Sequence, residues 1–108
     1  MGFFLRNHIK NLSTEKAYQA LTEDDGIVLI DVRNADEYKS GHIRNSINVP
    51  LADISSLPGI VPDKGARVFV YCLSGARSAR ACDALEKLGY TDLTNIGGIM
   101  SWAHEIVK

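Results

Sequence analysis

The sequence lacks the devices by which small secreted proteins and membrane proteins hold together. Its two cysteines, Cys72 and Cys82, are too few for a disulfide framework, and neither has a close Cys/His cluster around it. No metal site and no cofactor are therefore expected. A free thiol suits a reducing compartment, so a cytoplasmic location is expected. The start, Met1-Gly2-Phe3-Phe4-Leu5-Arg6, carries an apolar run of three residues, too short for a signal peptide or a membrane span. An excess of one charge is missing as well. Twelve Lys and Arg stand against thirteen Asp and Glu, a net charge of −1 with no basic block. That balance argues against nucleic acid or an anionic membrane as the main partner. No repeat, low-complexity tract or linker interrupts the 108 residues, which read as one domain with 1–7 as a flexible extension. Hydrophobic residues at 45% suffice for a modest core without staples.

What is there centres on Cys72-Leu73-Ser74-Gly75-Ala76-Arg77-Ser78. An apolar run, Val68-Phe69-Val70-Tyr71, precedes it and reads as a buried strand. Ala81, Ala84, Leu85 and Leu88 follow at helical spacing, with Gly89 where a helix-ending glycine belongs. The expected helix covers 78–88, with Ser78 placed to cap it. A helix N-terminus offers unpaired N–H groups and partial positive charge, which lower a thiol pKa and stabilise an anion on the sulfur. Cys72 is thus the candidate nucleophile. Residues 73–77 supply backbone amides as a cradle, Gly75 lets the chain turn inward, and Arg77 adds a cation.

Around this loop the pattern alternates. A short strand is expected at 8–12, then a helix at 14–22 capped by Ser13, with Glu15 in its first turn and Ala17, Ala20 and Leu21 facing inward. Asp24-Asp25-Gly26 turns into the strand Ile27 to Asp31. Asn34 and Glu37 form a capping-box pair for a short helix ending at Gly41. A strand at 47–49 closes at Pro50, a short helix follows near 51–57, and Pro58-Gly59 through Pro62-Asp63-Lys64-Gly65 reads as a long loop. After the cysteine loop and its helix come a strand at 93–96, Gly97-Gly98 and a closing helix over 99–107 carrying Trp102. Such alternation implies an α/β fold with a mainly parallel sheet of about five strands and helices on both faces. Ligands of such sheets bind beyond the carboxyl ends of strands, where Cys72 lies.

Several of these pieces in their order resemble the rhodanese domain of single-domain sulfurtransferases. They are Ile30-Asp31-Val32-Arg33, Glu37 with Gly41-His42-Ile43, Asn48-Val49-Pro50, the loop Cys72 to Ser78, and Gly97-Gly98 with Trp102. The resemblance spans roughly residues 8–106. It implies a persulfide mechanism, in which Cys72 takes a sulfane sulfur from thiosulfate or a persulfide and passes it to a thiol or cyanide. It also implies small-molecule donors and acceptors, or a protein thiol or persulfide partner, and a monomer is expected. Ser74 stands where some thiosulfate-using members carry a basic residue.

Other readings compete. Phosphatases and arsenate reductases of the same fold place one more residue between cysteine and arginine, whereas here Leu73 to Ala76 intervene, a cradle suited to one sulfur atom. A non-enzymatic binding module is the other alternative, weakened by the presence of Cys72. Asp31 is assigned a structural role; Arg33 either pairs with it or helps hold the loop. His42 is expected to make a hydrogen bond rather than act as a base, and His8 and His104 have no relation to the site. Cys82, over one helical turn below the loop, is expected to pack rather than resolve a disulfide.

Overall fold

The computed structural model describes residues 9–108; residues 1–7, expected to be a flexible extension, and His8 lie outside them. Five strands make one parallel sheet: β1 (Lys10–Asn11), β2 (Val28–Asp31), β4 (Ile47–Asn48), β5 (Val68–Cys72) and β6 (Leu93–Gly98). Their order across the sheet is β1-β6-β5-β2-β4, which puts β5 in the middle. Every residue of β5 is buried, as a Val-Phe-Val-Tyr-Cys run with no polar alternation requires.

Alternation along β5 divides the core. Val68, Val70 and Cys72 face one side with Ile30 and Val32, and pack against Ala81, Cys82 and Leu85 of the helix α4 (Ala76–Lys87). Phe69 and Tyr71 face the other side with Leu29 and Ile96, against Ala17 of α1 (Thr14–Glu23). Helices therefore cover both faces. Ser13 caps α1, accepting from the Lys16 N–H at 3.2 Å. The short helix α2 (Ala35–Ser40) begins where Glu37 Oε1 accepts from the Asn34 N–H at 2.9 Å and stops at Gly41. Among the described residues no helix is long and apolar enough to cross a membrane.

Three local expectations need correction. Residues 51–56 form a 3-10 helix that runs into the short α3 (Leu57–Ile60), so Pro58-Gly59 is helical rather than loop. Proline is tolerated there because first-turn N–H groups have no helical partner anyway. The helix after the cysteine begins at Ala76, two residues early, with Gly75 as its N-cap and Ser78 inside the first turn. The closing helix over 99–107 is absent. Only Ile99–Ser101 makes a 3-10 turn, Trp102 is extended, and β7 (Ile106–Val107) pairs antiparallel with β3 (His42–Ile43). Apolar spacing in a short terminal segment does not distinguish these outcomes; the free edge of β3, some sixty residues earlier, does.

Tyr71 connects this second sheet to the first. Its hydroxyl accepts from the Ile43 N–H at 3.1 Å and meets Ser46 Oγ at 3.1 Å. A buried phenol so placed needs those partners, and it ties the end of β3 to the central strand.

Candidate active site

Cys72 ends β5, and the chain then turns sharply into α4. Gly75 makes the turn at φ +116°, a conformation that a side chain would strain. The loop folds back over its own cysteine, leaving Cys72 only 1% exposed. The Gly75 N–H donates to Sγ at 3.0 Å, and Ser78 Oγ lies 3.5 Å from the sulfur. Burial pushes the thiol pKa up, but the Ser78 hydroxyl and the amides of Ser78, Gly75 and Ser74 outweigh it and hold the thiol below its ordinary value. Donors aimed at one sulfur at the head of a twelve-residue helix are an anion site.

Ser78 has one proton and several acceptors. Its Oγ lies 2.7 Å from Asn95 Oδ1 and 2.9 Å from the Gly75 carbonyl. The Gly97 N–H donates to the same Asn95 oxygen at 2.9 Å, which orients the amide. When Cys72 is neutral its S–H points to Ser78, whose O–H goes on to Asn95; when Cys72 is ionised, the hydroxyl turns toward the sulfur. Sequence reasoning missed Asn95. Its only trace in the sequence is an amide near the close of a strand, Leu93-Thr94-Asn95-Ile96.

The two glycines after Ile96 have different causes: Gly97 stands at φ +88° in open space, whereas Gly98 has a steric one. A Cβ on Gly98 would sit 1.9 Å from the Leu73 carbonyl oxygen and 2.5 Å from Ser74 Cα. The end of β6 therefore runs directly beneath the cysteine loop, and the Met100 N–H donates to the Leu73 carbonyl at 3.2 Å. Leu73 and Ser74 are exposed on the outer side.

Arg77 is placed differently from expectation. It is electrostatically coupled to Cys72, yet its fork faces α2: the two terminal nitrogens donate to Glu37 Oε1 and Oε2 at 2.8 and 3.0 Å. The groups that do most to lower the Cys72 pKa are a hydroxyl and amides; the guanidinium, directed at a carboxylate, acts on the sulfur only through its charge. Hydrogen bonding from Arg77 also draws the Glu37 carboxyl down to about 2. Asp31 and Arg33 form a second, fully buried pair, Arg33 Nη2 donating to Asp31 Oδ2 at 2.8 Å and to the Gly41 carbonyl at 2.7 Å. This resolves Arg33: it fixes the C-terminal end of α2, and so the helix on which Glu37 stands.

This arrangement can be set beside known proteins. A family model for the rhodanese-like domain matches residues 13–105. The chain belongs to the rhodanese family. It is 39% identical over 80 residues to the thiosulfate sulfurtransferase PspE of Escherichia coli, covering 73% of this chain and 77% of that protein. It is 33% identical over 96 residues to a sulfurtransferase of Allochromatium vinosum, covering 88% and 89%. A rhodanese-related protein of Thermoplasma volcanium has a crystal structure that superposes with a TM-score of 0.77 at 29% identity, covering 91% of this chain and 97% of that one. Among the described residues, β5 alone ends between two flanking parallel strands and feeds a long helix, which sets the Cys72 loop apart from the others.

The remaining candidates lie away from the sulfur. Cys82 is wholly buried in the core, and burial pushes its thiol up to about 12, the state of an inert packing group. His42 Nδ1 bonds the Tyr38 carbonyl at 2.9 Å, with its ring stacked on Tyr38. His104 stacks on Tyr18 and meets Glu15 at 2.8 Å.

Ser78→Ala tests the electrostatics. The variant should move the pH profile of Cys72 alkylation by iodoacetamide to higher pH, slowing it about tenfold below the midpoint, since a hydrogen bond to a charged group contributes about 1.5–3 kcal/mol. Limited access of the reagent to the sulfur scales the rate but not the midpoint. An unmoved profile would assign the activation to the amides alone.

Proposed function

We propose that the chain is a sulfurtransferase that carries a sulfane sulfur as a persulfide on Cys72. The observation behind this reading is the close set of donors on one sulfur, the Gly75 amide at 3.0 Å and the Ser78 hydroxyl at 3.5 Å, with no titratable base among them. In the first step the Cys72 thiolate attacks the outer sulfur of the donor. The S–S bond forms on Cys72, the donor's sulfur bond breaks, and its electron pair leaves with sulfite from thiosulfate or with a thiolate from an organic persulfide. The persulfide anion rests against the amides of Ser74 and Gly75. In the second step a thiolate or cyanide attacks that terminal sulfur, and Cys72 leaves as thiolate. Charge balances in both steps, so no proton transfer and no general base are needed.

The named activities of the relatives support the reaction class, and the free thiols suit a reducing cytosol. The short loop supports a single sulfur over phosphate as the cradle's occupant, which disfavours phosphatase or arsenate reductase chemistry. Donor and acceptor are small molecules or a protein thiol, and a monomer suffices for the site.

The test is mass spectrometry of the Cys72 peptide after incubation with thiosulfate or an organic persulfide. One added sulfur atom, removed by cyanide, is the expected result. An unmodified Cys72 combined with Cys72-dependent hydrolysis of aryl phosphates would move the assignment to the phosphatase class.

A further inference from the structure

We infer that Glu37 selects sulfur donors by charge: by holding Arg77 it makes the site favour singly charged donors, organic persulfides and thiosulfonates, over the thiosulfate dianion. The inference rests on the sulfurtransferase reading. Arg77 is the one charged residue between Cys72 and Ser78, and both terminal nitrogens are taken by the two oxygens of Glu37. Glu37 is itself fixed. It accepts from the Asn34 N–H at 2.9 Å, and its helix is pinned at the other end by Arg33 on the Gly41 carbonyl at 2.7 Å. Both members of the pair are part-exposed, so the ion pair stands at the surface of the site.

Apart from the Cys72 thiolate itself, which repels any anionic donor, the charged side chains coupled to this region cancel in pairs. Arg77 opposes Glu37, and Arg33 opposes Asp31. Arg80 lies one turn further along α4, exposed to solvent. What stays positive at the sulfur is the amide cradle and the end of α4, roughly half an elementary charge. That suits one negative charge. A second charge on the donor must draw Arg77 away from Glu37 or lie beside the carboxylate. Beside the exposed Ser74, the outer side of the loop offers apolar surface: Leu73 is 39% and Met100 72% exposed, and their backbones are joined by the Met100 N–H to Leu73 carbonyl bond. An organic substituent has a surface to rest on there, and inorganic thiosulfate has no use for it.

Thiosulfate and methanethiosulfonate separate charge from chemistry. Each gives up the same kind of sulfur to the Cys72 thiolate, one releasing sulfite and the other methanesulfinate, and they differ by one charge. The wild-type chain should show the higher kcat/KM with methanethiosulfonate. Glu37→Gln keeps an oxygen for the Asn34 amide but removes the charge, and should shift the ratio of the two kcat/KM values toward thiosulfate by about three- to tenfold at low salt. The shift should shrink at high salt, where exposed charges are screened within a few ångströms. Asp36→Asn, one position before Glu37 on α2, should leave the ratio where it was. A second measurement needs no variant: the wild-type kcat/KM for thiosulfate should not fall with salt, since each cation coupled to the site is offset by a carboxylate. A steep fall with salt, or a Glu37→Gln ratio equal to wild type while both donors still load Cys72, overturns the inference. Failure of both donors to load wild-type Cys72 is a different result; it sinks the sulfurtransferase reading, and the inference with it.

Discussion

Cys72→Ser should abolish sulfur transfer, by at least about a thousandfold, and leave the fold in place. A serine hydroxyl is not ionised at neutral pH, and no group in the site is a base that could activate it. The fold should survive because the substitution is nearly isosteric and the new oxygen inherits the Gly75 N–H and Ser78 contacts that the sulfur makes. The expected cost is about 1 kcal/mol or less. Three measurements decide it: thiocyanate formation from donor and cyanide, the mass of the residue-72 peptide, and the thermal midpoint. Cys82→Ala should keep turnover near wild type, since that thiol is wholly buried in the core and held neutral there. Retained transfer in Cys72→Ser, or its loss in a folded Cys82→Ala, would end the single-carrier mechanism.

The second large effect belongs to a residue that carries no chemistry. Gly98→Ala should lower transfer by about a hundredfold or more and cost about 1–3 kcal/mol of stability. Its Cβ would lie 1.9 and 2.3 Å from the Leu73 carbonyl group, and backbone cannot step aside as a flexible side chain can. The loop must lift, and the Ser74 and Gly75 amides that face the sulfur would lift with it. The pH profile of Cys72 alkylation should therefore move to higher pH, a change that simple loss of stability would not cause. Gly59→Ala is the control: nothing lies within 4 Å of its added Cβ, so activity and profile should not change. Wild-type turnover in Gly98→Ala would mean that the loop does not need its floor.

Much of the site was legible because its parts are contiguous. Cys72, the turn at Gly75 and the helix behind them lie within a short stretch, so local rules reach all of them. The same holds for the buried strands β2 and β5, whose unbroken apolar runs mark a sheet covered on both faces, and for Ser13 and Glu37 at their helix starts. Ser78 shows where local reading stops. A serine near a helix start reads as a cap, but Gly75 takes that position and Ser78 bonds the sulfur from inside the first turn.

By itself, then, the sequence determined most of the elements and the parallel sheet, and it singled out Cys72 as the candidate nucleophile, since each follows from periodicity or from neighbours a few residues away. Tertiary structure alone decided where Arg77 points, because its partner Glu37 stands forty residues earlier on another helix. It also decided the role of Asn95, which reaches Ser78 only once β6 lies beside β5. The fate of residues 99–107 belongs to the same class: their spacing suits a helix, and the edge offered by β3 makes the last of them a strand. Long-range partners of this kind leave no mark on local pattern, because what selects them is packing across the whole fold.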